Sequence, residues 1–341
     1  MNLSFSAHTL DFKRPFSIAH GTRNSTPVVF TQLEHNGIIG YGEASMPPYL
    51  GESHESVLKF LEKAKKALKQ FSDCNDLPGI LTVVDKIDLN NNAAKASFDI
   101  ALHDLMGKLQ NKSCHELFHA DSNKPIYTAY TIPIDDESGI IARLKEAAEY
   151  KILKIKLGSQ DDKELIEIIH RNTNQQFFVD ANEGWTNKNF AFDMVQFLAD
   201  KNCLFVEQPM PKAQIKDIAW LTSKSILPII ADEAVKRFTD LEKAVGVYDG
   251  INIKLMKCTG LHEAKKMIDF AIKHKMKLML GCMSETSCAI SAAAQLAPFV
   301  DWIDLDGPLL IKQDYFEGVK FVSGKIILNH LPGIGVVPIY F

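Results

Sequence analysis

The sequence has no long uninterrupted apolar segment. No stretch approaches the roughly 18 consecutive apolar residues that a membrane-spanning helix needs, so we expect no membrane partner. Residues 1–16 mix serine, histidine, aspartate, lysine and arginine among the apolar residues and lack the continuous apolar core of a signal peptide. These two absences favour a cytoplasmic location.

Paired cysteine motifs and an excess of basic charge are also missing. The six cysteines form no CxxC pair and show no zinc-type spacing, which is typical of reduced thiols in a cytoplasmic protein. The 38 basic and 42 acidic residues give a net charge of −4, and the lysines and arginines are scattered along the chain. We therefore expect no nucleic-acid partner, because nothing supplies a basic surface for a phosphate backbone.

The first third of the chain has the pattern of an α+β module. Residues 2–11 and 27–44 alternate apolar and polar side chains, and Asn36-Gly37 provides a turn signal between strands. Apolar residues at helical spacing follow at 55–71 and 92–109. With 341 residues, the chain is long enough for this module beside a barrel of about 250 residues.

From residue 126 onward, short apolar strands alternate with amphipathic helices. Eight strands are predicted, the number that a (β/α)₈ barrel of the TIM type needs: 127–132, 152–157, 176–180, 204–207, 229–231, 250–254, 277–280 and 302–304. Helices are predicted at 163–173, 187–200, 240–247, 261–274 and 287–297. We expect an α+β capping domain at 1–120, a catalytic barrel at 121–309, and a segment rich in glycine and proline at 310–341 that packs back on the capping domain.

Chemically reactive side chains recur along the barrel region at intervals of 22 to 28 residues, the length of a strand plus a helix: Lys156, Asp180, Glu207, Asp232, Lys254, Cys282 and Asp304. The carboxyl ends of all barrel strands lie on one rim, where residues one βα unit apart converge. Asp180, Glu207 and Asp232 each follow an apolar strand. Three such carboxylates would repel each other unless a cation held them, and oxygen ligands of this kind suit Mg²⁺. The alternative is that each acidic residue caps the helix that follows it.

Lysines are embedded in two of the apolar strands. Lys154 and Lys156 share one face of the second strand, and Lys254 lies on the sixth. An edge strand could leave such lysines in solvent, but a closed barrel has no edge. Strands two and six are opposite each other, so Lys156 and Lys254 are predicted to face each other across the barrel mouth, with the carboxylates between them. We expect burial and neighbouring cations to lower the pKa of such lysines toward the range useful for proton transfer.

Two opposed bases can remove a proton from one side of a carbon atom and return it on the other, which is racemisation or epimerisation. The set Lys154-Ile-Lys156, Asp180-Ala-Asn182, Glu207-Gln-Pro209, Asp232-Glu233 and Asn252-Ile-Lys254 resembles the enolase superfamily, muconate-lactonising-enzyme subgroup, over nearly the whole chain. The resemblance implies one Mg²⁺ per subunit on Asp180, Glu207 and Asp232. It also implies Lys156 and Lys254 as the two acid/base residues acting through a metal-stabilised enediolate, and Lys154 as an auxiliary cation near the substrate carboxylate.

The eighth strand narrows the reaction. Asp304-Leu305-Asp306 puts two carboxylates on one face at the rim, where they could bind an ammonium group, and the motif resembles the one in the dipeptide epimerases of this subgroup. The alternative is an acidic pair that caps the following loop. By the same resemblance, Met283 and Ser284 line the substrate, Thr131 bonds the substrate backbone, residues 16–23 and 47–52 form loops over the pocket, and Arg23 suits an acidic side chain. An exposed loop arginine in contact with solvent alone is the alternative for Arg23.

Together with these residues, the resemblance implies an isomerase that inverts the C-terminal residue of a small dipeptide, with L-Ala-D/L-Glu as the first candidate. It also implies a role in the recycling of cell-wall peptides. A lyase of the o-succinylbenzoate synthase kind, or a cycloisomerase, would use the same scaffold but has no substrate ammonium for Asp304 and Asp306 to bind. A non-catalytic ligand-binding barrel is a third hypothesis. A homo-oligomer is compatible with the sequence.

Overall fold

The chain begins with an antiparallel sheet of three strands. In the computed structural model, which describes residues 1–18, 21–121, 124–159 and 161–340, these strands are β1 (Asn2–Ile18), β2 (Gly21–His35) and β3 (Ile38–Ser45). Asn36 and Gly37 both have positive φ and form a two-residue turn between β2 and β3, as expected for an Asn-Gly hairpin. The predicted hairpin is confirmed.

Four helices complete the N-terminal module: α1 (His54–Ala67), α2 (Leu77–Asp85), α3 (Asn92–Gln110) and α4 (Cys114–Leu117). Helix α3 is buried along most of its length and lies very close to β3. A Cβ atom at Gly40 would come within 2.1 Å of the Ala101 carbonyl oxygen, and one at Gly42 within 1.9 Å of the Ser97 carbonyl oxygen. Glycine at these two positions therefore permits the contact between helix and sheet.

The second part of the chain forms a parallel barrel. Its strands follow a short strand β4 (Ile126–Tyr127) and are β5 (Tyr130–Ile132), β6 (Ile152–Lys156), β7 (Gln176–Asp180), β8 (Cys203–Glu207), β9 (Ile229–Ala231), β10 (Gly250–Ile253), β11 (Lys277–Gly281) and β12 (Trp302–Asp304). These eight strands lie side by side in chain order from β5 to β12. The helices between and after them are α5 (Glu137–Glu146), α6 (Asp162–Asn172), α7 (Lys188–Ala199), α8 (Ile215–Lys224), α9 (Leu241–Ala244), α10 (Leu261–Lys273), α11 (Ser287–Ala294) and α12 (Gly307–Leu310).

The barrel is nearly closed: seven neighbouring strand pairs form β-ladders, and the eighth pair, β12 with β5, forms none in the part of the chain that the structure describes. Strands β12 and β5, at the two ends of the sheet order, meet through separate hydrogen bonds. The Ala129 amide donates to the Ile303 carbonyl at 3.0 Å, and the Leu305 amide donates to the Thr128 hydroxyl at 2.8 Å. Apolar side chains fill the interior, with the rings of Phe178 and Phe205 stacked at 4.4 Å. The predicted TIM-like barrel with an N-terminal capping module is therefore confirmed.

The C-terminal segment forms four short strands, β13 (Phe316–Glu317), β14 (Lys320–Val322), β15 (Lys325–Ile327) and β16 (Val337–Pro338). Strand β15 pairs with β4, within the range predicted for the barrel, whereas Gly333 exchanges backbone hydrogen bonds with the N-terminal module, donating to Lys112 and accepting from Cys114. We propose on the Gly333 contacts that 310–341 completes the capping domain at 1–120, beside a barrel at 121–309.

Three predicted elements differ in the structure. The strand predicted at 127–132 is two strands, because Ile126–Tyr127 turns away from the barrel to pair with β15. The helix predicted at 240–247 contains only Leu241–Ala244, since Val245 is extended and Gly246 has φ of 77°. The loop predicted at 16–23 continues the β1–β2 hairpin, with Phe16 opposite Arg23 and Ile18 opposite Gly21; residues 19 and 20 lie outside the described part of the chain.

Among the described residues, no helix is both long and apolar enough to cross a membrane.

Candidate active site

A cavity of about 320 Å³ lies at the carboxyl ends of the barrel strands. Its floor consists of strand-end residues of the barrel, and its roof comes from the capping module. The roof contributes Phe16, Ile18, Arg23, Tyr49 and Leu50. Every site residue predicted from the sequence lines this cavity except Asp180 and Glu207, which are buried and reach it through their contacts with Lys154 and Lys156.

Strand register brings the predicted metal ligands together. Lys156 is opposite Asp180 in the β6–β7 ladder, and Asp180 is opposite Glu207 in the β7–β8 ladder, so these strand ends finish at one level. Asp180, Glu207 and Asp232 each offer an oxygen within 4.8 Å of the other two, and all three are buried. Such a group fits a divalent cation with oxygen ligands.

One oxygen of each carboxylate is fixed by a neighbour. Asp180 Oδ1 accepts from the Asn182 amide at 3.0 Å, and Glu207 Oε1 accepts from Asn252 Nδ2 at 2.6 Å. Asp232 Oδ1 accepts from Lys257. The second oxygen of each lies beside Lys154, Lys156 or Lys254.

Mutual repulsion is visible in the protonation of the triad. Burial, together with the Asp180 and Asp232 charges, raises the pKa of Glu207 to about 7. Burial opposes ionisation of Asp180 and Asp232 as well, but neighbouring lysines outweigh it and hold the pKa of both below the usual value. Glu207 Oε2 is buried and accepts no well-aligned hydrogen bond, although Lys154 Nζ lies 3.0 Å away. Both features fit a site that accommodates additional positive charge.

Lys156 and Lys254 contact the triad from two different strands. Lys156 Nζ donates to Asp180 Oδ2 at 2.6 Å and to Asn182 Oδ1 at 3.2 Å. Lys254 Nζ donates to Asp232 Oδ2 at 2.8 Å. Strands β6 and β10 are four places apart in an eight-stranded barrel, so the two ammonium groups enter the cavity from opposite sides, with the carboxylates between them.

The expected lowering of the lysine pKa is wrong for Lys254 and Lys154. Burial lowers the pKa of each, but nearby carboxylates outweigh it, Asp232 beside Lys254 and Asp304 beside Lys154, so both pKa values lie well above the usual range. The expectation rested on neighbouring cations, but the charged groups that act most strongly on both lysines in the structure are carboxylates.

Lys154 connects the two acidic groups of the site. Its Nζ lies 3.1 Å from Asp180 Oδ2, 3.0 Å from Glu207 Oε2 and 2.7 Å from Asp304 Oδ2. The predicted auxiliary cation is therefore in the cavity, and it touches the triad directly.

Asp304 and Asp306 both lie at the cavity wall. Asp304 Oδ1 is buried without a hydrogen-bond partner among the described residues. Asp306 Oδ2 accepts from the Thr131 amide at 2.8 Å, so that amide is used within the protein, while the Thr131 side chain lines the cavity. Burial and the Asp304 charge raise the pKa of Asp306 to about 7. An unpaired buried carboxylate oxygen beside a second carboxyl group is an environment that favours a bound cation.

The roof contributes an arginine and a tyrosine. Arg23 lies with its guanidinium carbon 5.7 Å from the centre of the Phe12 ring, and its Nη1 is buried without a hydrogen-bond partner among the described residues. The Tyr49 hydroxyl contacts Met283 Sδ at 2.8 Å. The Ser284 carbonyl accepts from the Ser45 hydroxyl at 2.8 Å, so the capping module fixes the predicted substrate-lining pair.

Sequence reasoning assigned no role to several residues that the structure places in the site. Asn182 and Asn252 stood in the recognised motifs, but only the structure shows that they hold the triad. Glu233 follows a predicted ligand, and burial with the Asp232 charge raises its pKa to about 8. Tyr49 belongs to the predicted loop 47–52 over the pocket, although no role was predicted for its side chain, and Lys257 carried no signal beyond its position near motif residues.

Comparisons with known proteins agree with this geometry. Residues 4–118 match the family model "Mandelate racemase / muconate lactonizing enzyme, N-terminal domain", and residues 140–339 match "Enolase C-terminal domain-like". The chain is 49% identical over 340 residues to the L-Ala-D/L-Glu epimerase of Bacteroides thetaiotaomicron, covering 99% of this chain and 88% of the relative.

Two solved structures superpose closely. The substrate-liganded L-Ala-D/L-Glu epimerase of Bacillus subtilis gives a TM-score of 0.94 at 26% identity, covering 99% of this chain and 98% of that one. The Enterococcus faecalis dipeptide epimerase complexed with Mg and L-Leu-L-Tyr gives 0.92 at 30% identity, covering 98% of both chains. On these matches over both domains, the chain belongs to the mandelate racemase/muconate lactonizing enzyme family of the enolase superfamily.

Proposed function

We propose that this protein is a Mg²⁺-dependent dipeptide epimerase, an isomerase that inverts the α-carbon of the C-terminal residue, with L-Ala-D/L-Glu as its substrate. The observation that carries the proposal is the placement of Lys156 and Lys254 on opposite strands of one cavity, each bonded to a different carboxylate of the same triad. A carbon atom between two such amines has a proton donor or acceptor on each face.

Each part of the cavity has a role in this reaction. Asp180, Glu207 and Asp232 would hold one Mg²⁺ per subunit. When bound, the metal supplies the positive charge that stabilises the enediolate formed on loss of the α-proton. Lys156 and Lys254 exchange the proton on the two faces, and the unpaired oxygen of Asp304 with its neighbour Asp306 binds the substrate ammonium.

Arg23 supports an acidic side chain in the inverted residue. A buried guanidinium nitrogen without a partner is costly unless a ligand satisfies it, and a carboxylate is the group that fits best. The Bacteroides thetaiotaomicron relative is named for L-Ala-D/L-Glu. The Enterococcus faecalis structure holds L-Leu-L-Tyr, so side-chain preference varies on this fold and Arg23 is the residue that argues for glutamate.

The buried acidic pair also argues against the alternatives. A lyase of the o-succinylbenzoate synthase kind, or a cycloisomerase, acts on a substrate without an ammonium group, for which Asp304 Oδ1 would stay unpaired. A non-catalytic binding barrel would not need two lysines on opposite sides of a carboxylate triad. A cytoplasmic location and a role in turnover of cell-wall peptides are predictions that follow from the family resemblance.

Proton exchange tests the proposal directly. In D₂O with Mg²⁺, the ¹H NMR signal of the C-terminal α-proton of L-Ala-L-Glu should disappear as the D-Glu diastereomer accumulates, and EDTA should stop both changes. Exchange without accumulation of the other diastereomer contradicts two-base epimerisation. Absence of exchange across a stereochemically complete panel of dipeptides contradicts the activity.

The substrate class is tested separately with Arg23→Met. This variant should lower kcat/KM for L-Ala-L-Glu by about 10–100-fold, the cost of leaving a buried carboxylate unpaired, and should change turnover of L-Ala-L-Leu far less. Arg171→Met is the matched control, because Arg171 is exposed on α6. Equal losses on both dipeptides would contradict a role for Arg23 in recognising the acidic side chain. They would not contradict the proposed epimerase activity.

A further inference from the structure

Lys257 is a buried lysine outside the pair of proposed bases. It is 4% exposed and follows β10 by one turn. Its ammonium group donates to Asp232 Oδ1, to the Asp232 carbonyl at 2.7 Å, to the Asn252 carbonyl at 3.0 Å and to the Val235 carbonyl at 3.1 Å. An ammonium group has three N–H donors, so acceptors of the protein saturate it.

The saturation rules out a direct part in proton transfer. A lysine base needs a lone pair directed at the substrate, whereas every donor of Lys257 is committed to β10, the end of β9 or the loop after it. Lys254 differs, because Asp232 Oδ2 is its one hydrogen-bonded partner among the described residues. Two lysines three residues apart thus bind the two oxygens of one carboxylate.

The triad shows the same division at each member. A neighbour fixes one oxygen, and the other lies beside Lys154, Lys156 or Lys254. The fixing donor is the Asn182 amide for Asp180, Asn252 Nδ2 for Glu207 and Lys257 Nζ for Asp232. Lys257 is therefore the counterpart of the two asparagines, and the one donor of the three that carries a charge.

We propose that Lys257 is a positioning residue of the metal site: it fixes Asp232 through Oδ1 and leaves Oδ2 as the oxygen available to a divalent cation. Supporting groups behind a metal ligand set its orientation, and their loss weakens metal affinity by about 10–100-fold. The inference rests on the proposed metal site and adds a residue that acts through Asp232 without touching substrate.

Whether loss of Lys257 weakens or strengthens Mg²⁺ binding distinguishes a positioning role from a purely electrostatic one. Removal of a nearby positive charge would by itself strengthen the binding of a cation. Loss of the anchor weakens it, because Asp232 would then be held only through Oδ2, the oxygen that the cation needs. If Lys257 only stabilised the fold, its replacement would lower the unfolding temperature and leave the Mg²⁺ affinity of the folded protein unchanged.

Isothermal titration calorimetry of the full-length protein with MgCl₂ tests this proposal. Lys257→Met should raise the Mg²⁺ Kd by about 10–100-fold, and Lys257→Gln, which keeps N–H donors, should raise it by a smaller factor and serves if the first variant does not fold. Lys243→Met is the control, since Lys243 is exposed on α9, and should bind like wild type. Circular dichroism of each variant checks that it is folded.

Unchanged or tighter Mg²⁺ binding by folded Lys257 variants would overturn this inference and leave the epimerase proposal standing. A wild-type protein that binds no Mg²⁺ would instead contradict the proposed function, and the role of Lys257 with it. Activity adds a second readout: a positioning defect should be relieved in part by excess Mg²⁺, whereas a structural defect should not.

Discussion

Carboxylates in this site are paired with lysines, and these ion pairs influence the pKa of each carboxylate. Asp232 keeps its pKa low because Lys254 and Lys257 bind its two oxygens, although burial acts the other way. Glu207, whose oxygens receive less direct cationic support, has a pKa raised to about 7. The proton distribution of the triad is thus set by which lysine reaches which oxygen.

The two proposed bases should be separable by stereochemistry. Lys254→Ala removes the amine on one side of the cavity, so deuterium exchange should fall by about 10²–10⁴-fold for one diastereomer of Ala-Glu, while the other still loses its proton to Lys156. Lys156→Ala should show the reverse preference. The measurement is the initial rate of α-proton exchange in D₂O, with each variant serving as the control for the other. Equal losses on both diastereomers would contradict a two-sided site.

Glu285 should make the stability depend on pH. Burial, with the Glu43 charge nearby, raises its pKa from 4.5 to about 8. The folded protein then binds this proton more tightly than the unfolded chain does, so the stabilisation is complete below about pH 4.5 and is lost as the pH rises through about 8. Glu285→Gln, which resembles the protonated form, should remove about 1–3 kcal/mol of the decrease in unfolding free energy between pH 5 and pH 8.5.

Urea unfolding at several pH values measures this difference. Glu242→Gln is the control, because Glu242 is exposed on α9, and its curve should follow wild type. A Glu285→Gln curve as steep as that of wild type would show that Glu285 does not hold its proton in the folded state.

The sequence predicts which residues lie at the strand ends of the site, but it does not predict which contacts their long side chains make. Asp180, Glu207 and Asp232 were predictable because each follows an apolar strand, and parallel strands end on one rim. The contact of Lys154 with Asp304 was not predictable, because a strand period gives the face of a side chain but not the direction in which a long, flexible chain extends.

Among the secondary-structure elements, β3 and α11 connect the two domains beside the cavity. Glu43 at the end of β3 accepts from the Thr286 amide at 3.0 Å and from the Ala289 amide at 3.2 Å, and it also accepts from the Thr286 hydroxyl at 2.5 Å. These amides belong to the first turn of α11, directly after Met283 and Ser284. A carboxylate from the capping domain thus caps a barrel helix and holds the segment that lines the cavity.

Loss of this cap should affect both stability and substrate affinity. Glu43→Ala leaves buried amides without an acceptor, which should cost about 1–3 kcal/mol of unfolding free energy. The freed segment should raise KM for the dipeptide more than it lowers kcat. Glu43→Gln keeps one acceptor oxygen and should show smaller changes. Urea unfolding and steady-state kinetics of both variants test this, and an unchanged KM in Glu43→Ala would separate the cap from the site.

The boundaries of secondary-structure elements were predictable where adjacent residues in the sequence determine them. The Asn36-Gly37 turn and the strands of the barrel core follow from residues next to each other in sequence. Strands β4 and β5 were predicted as the single strand 127–132 because no turn signal separates them in the sequence, and the partner of β4, β15, lies about 200 residues away. Helices α5 and α8 were not among the predicted barrel helices, although Asp136 caps α5 through the Gly139 amide.

At the scale of the whole molecule, the site belongs to neither domain alone. The barrel supplies the triad and the lysines, while Arg23 and Tyr49 reach the cavity from the capping module. A metal ion bound at the triad would stabilise strands β7, β8 and β9 together, so its effect should spread through the barrel.

Mg²⁺ should therefore raise the thermal stability of the protein. At a concentration of 100 times its Kd, a ligand that binds only the folded state adds about 2.7 kcal/mol, which for a chain of this size corresponds to a rise in Tm of a few degrees. Differential scanning calorimetry with Mg²⁺ and with EDTA measures the shift. Glu207→Gln should abolish it, and a wild-type Tm that ignores Mg²⁺ would contradict a metal site at the triad.

The junction of β12 with β5 imposes a double constraint on the acidic pair. Few backbone bonds join these strands, and one bond beside them is the Asp306 carboxylate on the Thr131 amide. In the proposed reaction Asp306 binds the substrate amine, so a substitution there would also remove this hydrogen bond between the two ends of the barrel sheet. Natural variants that accept substrates without an amine would then need a compensating bond at this junction, so evolution toward such substrates should proceed through paired substitutions.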